Sequence, residues 1–224
     1  MLHSSDRWKK TYPGAVVGLL AMSQVSNPEE HPALKQRKEA LQAELRQRYA
    51  GLDRAGLRAL PILQAYHTYY KRFDKTYHVL LQVESIVLKG KDLPDVSPLV
   101  DANFTAEVNT FVLTAGHDVA KLESPIRIDV SLPGDEISPM HGERKPIRAG
   151  DMVMRDSHGV CCTILYGQDN RSPITIDTQG VLYVAYVPPG VPVEAVEAQL
   201  QQIEQNIRLF APQAKVEQRK LLAA

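Results

Sequence analysis

From Leu93 to Asp118 the chain reads LPDVSPLVDANFTAEVNTFVLTAGHD. Asp101, Asn103, Glu107, Asn109, His117 and Asp118 are threaded there through an apolar series of Val100, Phe104, Val108, Phe111 and Val112. Small polar groups along one apolar segment suit a pocket floor better than a plain core helix. The stretch closes on Ala115-Gly116, where backbone can approach a ligand closely. A second polar stretch, GQDNRSPITIDT, carries Gln168, Asp169, Asn170, Arg171, Thr175, Asp177 and Thr178. It reads either as a solvated loop with Asx and Ser/Thr turns or as a polar wall facing the first stretch.

No G-x-S-x-G elbow, Walker loop, G-x-G-x-x-G or H-E-x-x-H occurs. Cys161 and Cys162 are adjacent, so on a strand they point to opposite faces and chelate zinc poorly, even with His141 and His158 in the chain. They read as buried free thiols. A zinc site is therefore not expected. Three basic groups lie beside aromatics or in a proline-rich loop: Arg7, Lys9 and Lys10 around Trp8; Lys71, Arg72 and Lys75 among Tyr69, Tyr70, Phe73 and Tyr77; and Arg144, Lys145 and Arg148. Cations interleaved with aromatics suit phosphate contact and base stacking. The same pattern also describes a tyrosine-rich packing face with solvated lysines.

These residues must be positioned by the rest of the chain. AVVGLLAM (Ala15 to Met22) follows a Pro-Gly turn and reads as a buried strand. Helical spacing runs from Pro32 to Tyr49, through Ile62 to Phe73, and over Val79 to Val87, where Lys89 and Gly90 end it. Ile126 to Val130 alternates, and Asp151 to Asp156, Val160 to Tyr166 and Val181 to Val187 read as further strands, with Ser157-His158-Gly159 as a hairpin turn. Pro192 opens a last helix through Phe210, and the polar tail from Gln213 is expected to fray. Helices early and late with strands in the second half predict an α+β fold: a mixed or antiparallel central sheet with flanking helices. The 26 basic and 26 acidic residues balance, which disfavours non-specific nucleic-acid binding by bulk charge. No apolar run reaches the length of a membrane span. The first ten residues lack the apolar core of a signal peptide, so a reduced, cytoplasmic setting is expected, with neither DNA nor membrane as a partner.

In order, LPDVSPLVDANF, TAGHD, GDMVMRDSHGV and RSPITIDTQGVLYV resemble the editing (B three/four) domain of the phenylalanyl-tRNA synthetase β chain. They are closer still to freestanding proteins made of that domain alone. YPGAVVGLLAM and YYKRFDKTYHVLLQVESIVLKG extend the resemblance over most of the chain. It implies a single domain over residues 12–211, with 1–11 as an N-terminal extension and 212–224 as a polar tail. It also implies an activity, hydrolysis of the ester that joins a wrong amino acid to tRNA, which needs neither a metal nor an organic cofactor. Canavanyl-tRNA(Arg) is the first candidate and tyrosyl-tRNA(Phe) the next. The partner is then the acceptor end of a mischarged tRNA, with an aminoacyl-tRNA synthetase as a further partner. The alternative is a non-catalytic tRNA-binding or synthetase-associated module of the same fold.

Carried over by residue, Asp101 and Asn103 match the VD-x-N element, and Gly116 and Asp118 the glycine-aspartate element. Asp156 matches a strand aspartate, and Arg171, Thr175, Asp177 and Thr178 the arginine–threonine loop, with Gln168 just before it. The resemblance implies donors at Gly116, Arg171, Thr175 and Thr178, with Asp101, Asp118 and Asp177 taking the α-ammonium or a cationic side chain. His117, Asp118 and Thr178 are the candidate catalytic groups. His117 can be a base, since its unperturbed pKa lies near neutrality, or equally a hydrogen-bonded structural histidine. Lys71, Arg72, Lys75, Arg144 and Lys145 are the candidate tRNA contacts. Three positions depart from the family pattern: Ile164 to Gly167 replaces a tryptophan-rich stretch, Tyr77 replaces an arginine, and His117 replaces a glycine or acidic residue.

Overall fold

Strand β2 (Val16–Ser23) lies at the centre of the molecule because its apolar run is buried on both faces. The computed structural model describes residues 2–224. Ahead of β2 come β1 (His3–Ser4) and α1 (Asp6–Thr11). After it follow the helices α2 (Pro32–Arg48), α3 (Arg54–Arg58), α4 (Pro61–Lys71), α5 (His78–Val87) and α6 (Pro98–Thr110). The strand-rich half holds β3 (Thr114–Asp118), β4 (Arg127–Val130), β5 (Glu136–Ile137), β6 (Lys145–Pro146), β7 (Met152–Asp156), β8 (Gly159–Thr163), β9 (Gly167–Gln168) and β10 (Gly180–Val187). α7 (Val193–Arg208) and β11 (Lys215–Ala223) complete the chain.

The fold is α+β, as expected, with its strands divided between two main sheets. One is antiparallel, in the order β11-β2-β10-β3; the other runs β1-β4-β7-β8-β9 and is mixed, because β1 joins β4 in parallel. α7 lies on the first sheet over Gly18, where a Cβ would meet Val196 Cγ1 at 2.6 Å. The glycine therefore sets how closely helix and sheet approach.

Two boundaries differ from expectation. The polar tail is the edge strand β11, paired along β2 with one register shift. Its charged, mostly exposed side chains hide no apolar periodicity, but they suit an edge that must not recruit further strands. Residues 2–11 are not an appendage. Trp8 is fully buried, Ser5 caps α1 by accepting from the Trp8 N–H, and the Ser5 hydroxyl donates to Asp129 at 2.7 Å.

α6 carries the first polar stretch. Pro98 opens it, where a missing N–H is no loss. It is packed by α2, α5, α7 and β3, so it shows no single apolar stripe and even its polar residues are mostly buried. It ends at Phe111 in left-handed backbone (φ 63°). Buried tyrosines hold that end. Tyr77 Oη donates to the Phe111 carbonyl at 2.9 Å, and Tyr66 Oη accepts from the Leu113 N–H at 3.0 Å while donating to the Tyr186 carbonyl at 2.8 Å. The tyrosines around α4 are thus packing and clamping groups, and Trp8, Tyr69, Tyr70 and Tyr77 are too buried to stack on a nucleic-acid base.

Candidate functional site

A cavity of about 720 Å³ opens between α5, α6, β3 and the loops around β9. That is within the range of roughly 300–1,000 Å³ usual for ligand pockets. On α6, Val100, Asn103, Phe104 and Glu107 line it, at the i, i+3, i+4, i+7 spacing of one helix face. On α5, His78 and Gln82 face it one turn apart, and the first residues of β3, Thr114 to Gly116, form another wall. Leu113, Ile174, Tyr183 and Tyr186 make the surface largely apolar, and exposed Val96, Met140 and Ile176 stand at its edge.

Four of the expected site residues line this cavity: Asn103, Gly116, Gln168 and Thr175. Asn103 Nδ2 donates to the Thr114 carbonyl at 2.8 Å and its Oδ1 accepts from Gln199 at 3.2 Å, so it fastens the wall as well as facing it. At Gly116 a Cβ would meet Ile174 Cδ1 and Tyr183 Cε1 at 2.9 Å, so this glycine is needed for side-chain packing across the strand. The Thr175 carbonyl accepts from Asn27 at 3.0 Å.

The other expected residues are elsewhere. Asp101 points away from the cavity and accepts from Lys38 Nζ at 3.0 Å and from the Val96 N–H at 3.2 Å. Burial raises its pKa against the pull of Lys38. Asp118 accepts from the Thr178 hydroxyl at 2.9 Å and caps the Ala120 N–H, while Thr178 Oγ1 accepts from the Thr175 N–H. With exposed Asp177 these two border a separate, shallower groove on the far side of Ile176. His117 is fully buried with Nδ1 2.8 Å from Ser172 Oγ, and Nε2 has no partner among the described residues. Burial lowers its pKa to about 3, Arg171 adding to the shift and Asp156 opposing it. His117 is therefore a neutral structural imidazole that does not line the cavity, and the reading of it as a base is corrected. Arg171 is held between Asp156 (3.1 Å) and Asp169 (2.6 Å), behind β8.

The basic candidates also divide. Lys75 and Lys145 lie 5.6 and 4.8 Å from the centroid of the Tyr166 ring, next in the chain to cavity-lining Gly167 and Gln168. Arg72 stacks over Tyr12, Tyr69 and Phe73, Arg144 pairs with Glu136 at 2.5 Å, and Lys71 is simply exposed. Among the described residues no group of three His, Cys, Asp or Glu could hold a metal ion.

The polar groups that do face the cavity were in part overlooked in the sequence. Glu107 is 2% exposed, and the Thr114 N–H (2.8 Å) is its side chain's one hydrogen-bond partner among the described residues. Burial raises its pKa to about 8, the Thr114 bond opposing. His78 keeps an exposed face on the cavity while protein crowds its other sides, which lowers its pKa to about 4. The Cys162 thiol is pushed up to about 12 by burial, so it is no ready nucleophile. Near neutral pH the lining is thus mostly uncharged. The signal for Glu107 was its helix-face spacing with Val100, Asn103 and Phe104; nothing in the sequence marked His78 or Gln82.

No family model and no curated protein matches the chain. Among solved structures, it is similar to an N-terminal fragment of the phenylalanyl-tRNA synthetase β-subunit from Pyrococcus horikoshii, at 11% identity and a TM-score of 0.48. The match covers 99% of this chain and 50% of that one, so the chain spans about half the fragment's length. The likeness is a weak one, at the level of fold.

Proposed function

We propose that the cavity receives the aminoacyl end of a mischarged tRNA and that the protein is an aminoacyl-tRNA deacylase. The observation that carries this reading is a juxtaposition. A largely apolar cavity large enough for an aminoacyl group lies beside an aromatic ring, Tyr166, flanked by two lysines. Such a ring suits stacking of a terminal base, and the ammonium groups suit phosphates.

The ester is already activated, so hydrolysis needs a positioned water and donors for the developing oxyanion more than a nucleophile. Donors would come from the backbone of β3, because on the opposite wall the Gln168 amide already donates to Ser172 and the Thr163 hydroxyl is engaged with Asp151 and the Tyr166 N–H. The carboxylates expected to hold a cationic side chain, Asp101, Asp118 and Asp177, do not line the cavity. This favours an uncharged side chain, as in tyrosyl-tRNA(Phe), over canavanyl-tRNA(Arg). The test is release of amino acid from a panel of mischarged tRNAs, both of these included. A panel left intact at micromolar enzyme contradicts the deacylase reading, and tight tRNA binding without turnover selects a binding module of the same fold.

A further inference from the structure

We infer that Glu107 is the anchor for a ligand ammonium, so that the cavity is built for a primary amine carried on an apolar body. This rests on the reading of the cavity as an aminoacyl site and names the part of that group Glu107 holds, the α-ammonium.

A carboxyl group in this position calls for an explanation. It lies in the last turn of α6, buried, with no cation within ion-pairing distance among the described residues. Its structural duty is to accept the Thr114 N–H. A glutamine would do that equally well, without the penalty of burying an ionisable group. The difference between acid and amide appears only if a cation is presented to the second oxygen. The neighbouring polar groups agree. Gln82 and Tyr186 line the same cavity; the buried Gln82 Oε1 has no hydrogen-bond partner among the described residues, whereas the Tyr186 hydroxyl is met by the weak Cys162 thiol. A carboxyl oxygen and an unfilled amide oxygen in one cavity suit a group rich in donors, and an ammonium brings three and accepts none. Phe104, Val100 and Ile174 supply the surface for the apolar body.

The elements packed around Glu107 bring no competing charge. Tyr66 and Tyr70 on α4 and Tyr77 ahead of α5 have pKa values raised by burial, so they stay neutral, as does His78. Lys38 of α2, on another face of α6, is occupied by Asp95 and Asp101. Empty, the carboxyl group is held mainly in its acid form by burial. When an ammonium binds, the acid proton leaves to solvent and a carboxylate–ammonium pair remains. When the free amine binds, the same proton moves to the amine nitrogen and none is released.

The experiment is calorimetric titration of the full chain with L-tyrosinamide and with N-acetyl-L-tyrosinamide at pH 7, in two buffers of different ionisation enthalpy. The expected result is that tyrosinamide binds with proton release, about ten- to a hundred-fold tighter than its acetylated form. Glu107→Gln, which keeps an acceptor for Thr114, removes both the preference and the proton release. Equal binding of the two probes by the wild-type protein, no binding of either, or an unchanged preference in Glu107→Gln overturns the inference. The wild-type comparison stands even if the variant folds poorly. Deacylation is measured separately. Glu107-dependent amine binding without deacylation removes the enzyme reading alone, and deacylation without amine preference removes this one alone.

Discussion

Strand β3 divides two kinds of polar chemistry. Its first residues, Thr114 to Gly116, face a cavity whose polar groups are mostly uncharged and in part unpartnered. Its last two, His117 and Asp118, belong to a network in which charges are paired or hydrogen-bonded, through Ser172 and Thr178, with Arg171, Asp156 and Asp169 close behind. The residues that look most reactive in the sequence are those the fold has tied down. The group left free to meet a ligand is a single glutamate on a helix face. Residue type alone is thus a poor guide to a site: what matters is whether each polar atom already has a partner.

The comparison can be broken first on the tied-down side. Lys38→Met leaves the Asp101 carboxylate buried and alone, and should remove about 3–5 kcal/mol of stability in urea unfolding. Adding Asp101→Leu should restore most of it, because a buried pair replaced as a unit is close to neutral. Failure of the second change to rescue the first would mean that the pair is not the cause.

The free side is next, and it titrates. Glu107 has a folded pKa of about 8 against 4.5 for the free side chain. A raised carboxyl pKa contributes stability that is present below the unfolded value and is lost as pH rises through the folded one. Glu107→Gln should therefore gain on the wild type between pH 5 and 8 by about 1.4 kcal/mol per pH unit, checked by thermal melts across that window. A difference independent of pH would show that Glu107 does not titrate there.

Smaller effects sharpen the contrast. Arg171→Gln leaves Asp156 and Asp169 without their cation; since the arginine is about one-third exposed, the expected loss is about 1–2 kcal/mol, with amine binding to the cavity unchanged. Replacing Lys75 and Lys145 by alanine should leave stability alone and weaken tRNA binding modestly, lowering the slope of log affinity against log salt by about one per lysine.

Much of the fold was legible because periodicity reports burial. The spacing of Val196, Leu200, Ile203 and Ile207 marks α7, and the continuous run in β2 marks a strand covered on both faces. β11 was not legible, since an exposed edge strand pairs by backbone and needs no apolar alternation. The site was legible in outline only. The stretch centred on α6 does form a cavity wall. But the partners that take Asp101, Asp118 and Arg171 out of it lie 63, 60 and 15 residues away in the chain, and pairing at such distances leaves no local mark.

The claim that the cavity, not the ionic network, is the working site is tested most directly by deacylation of tyrosyl-tRNA(Phe) with three proteins side by side. The wild type and Arg171→Gln should release the amino acid at similar rates, and Val100→Trp, which fills the cavity from its α6 wall, should lose nearly all activity. Release by Val100→Trp at the wild-type rate, with Arg171→Gln inactive though folded, would place the chemistry on the other side of β3.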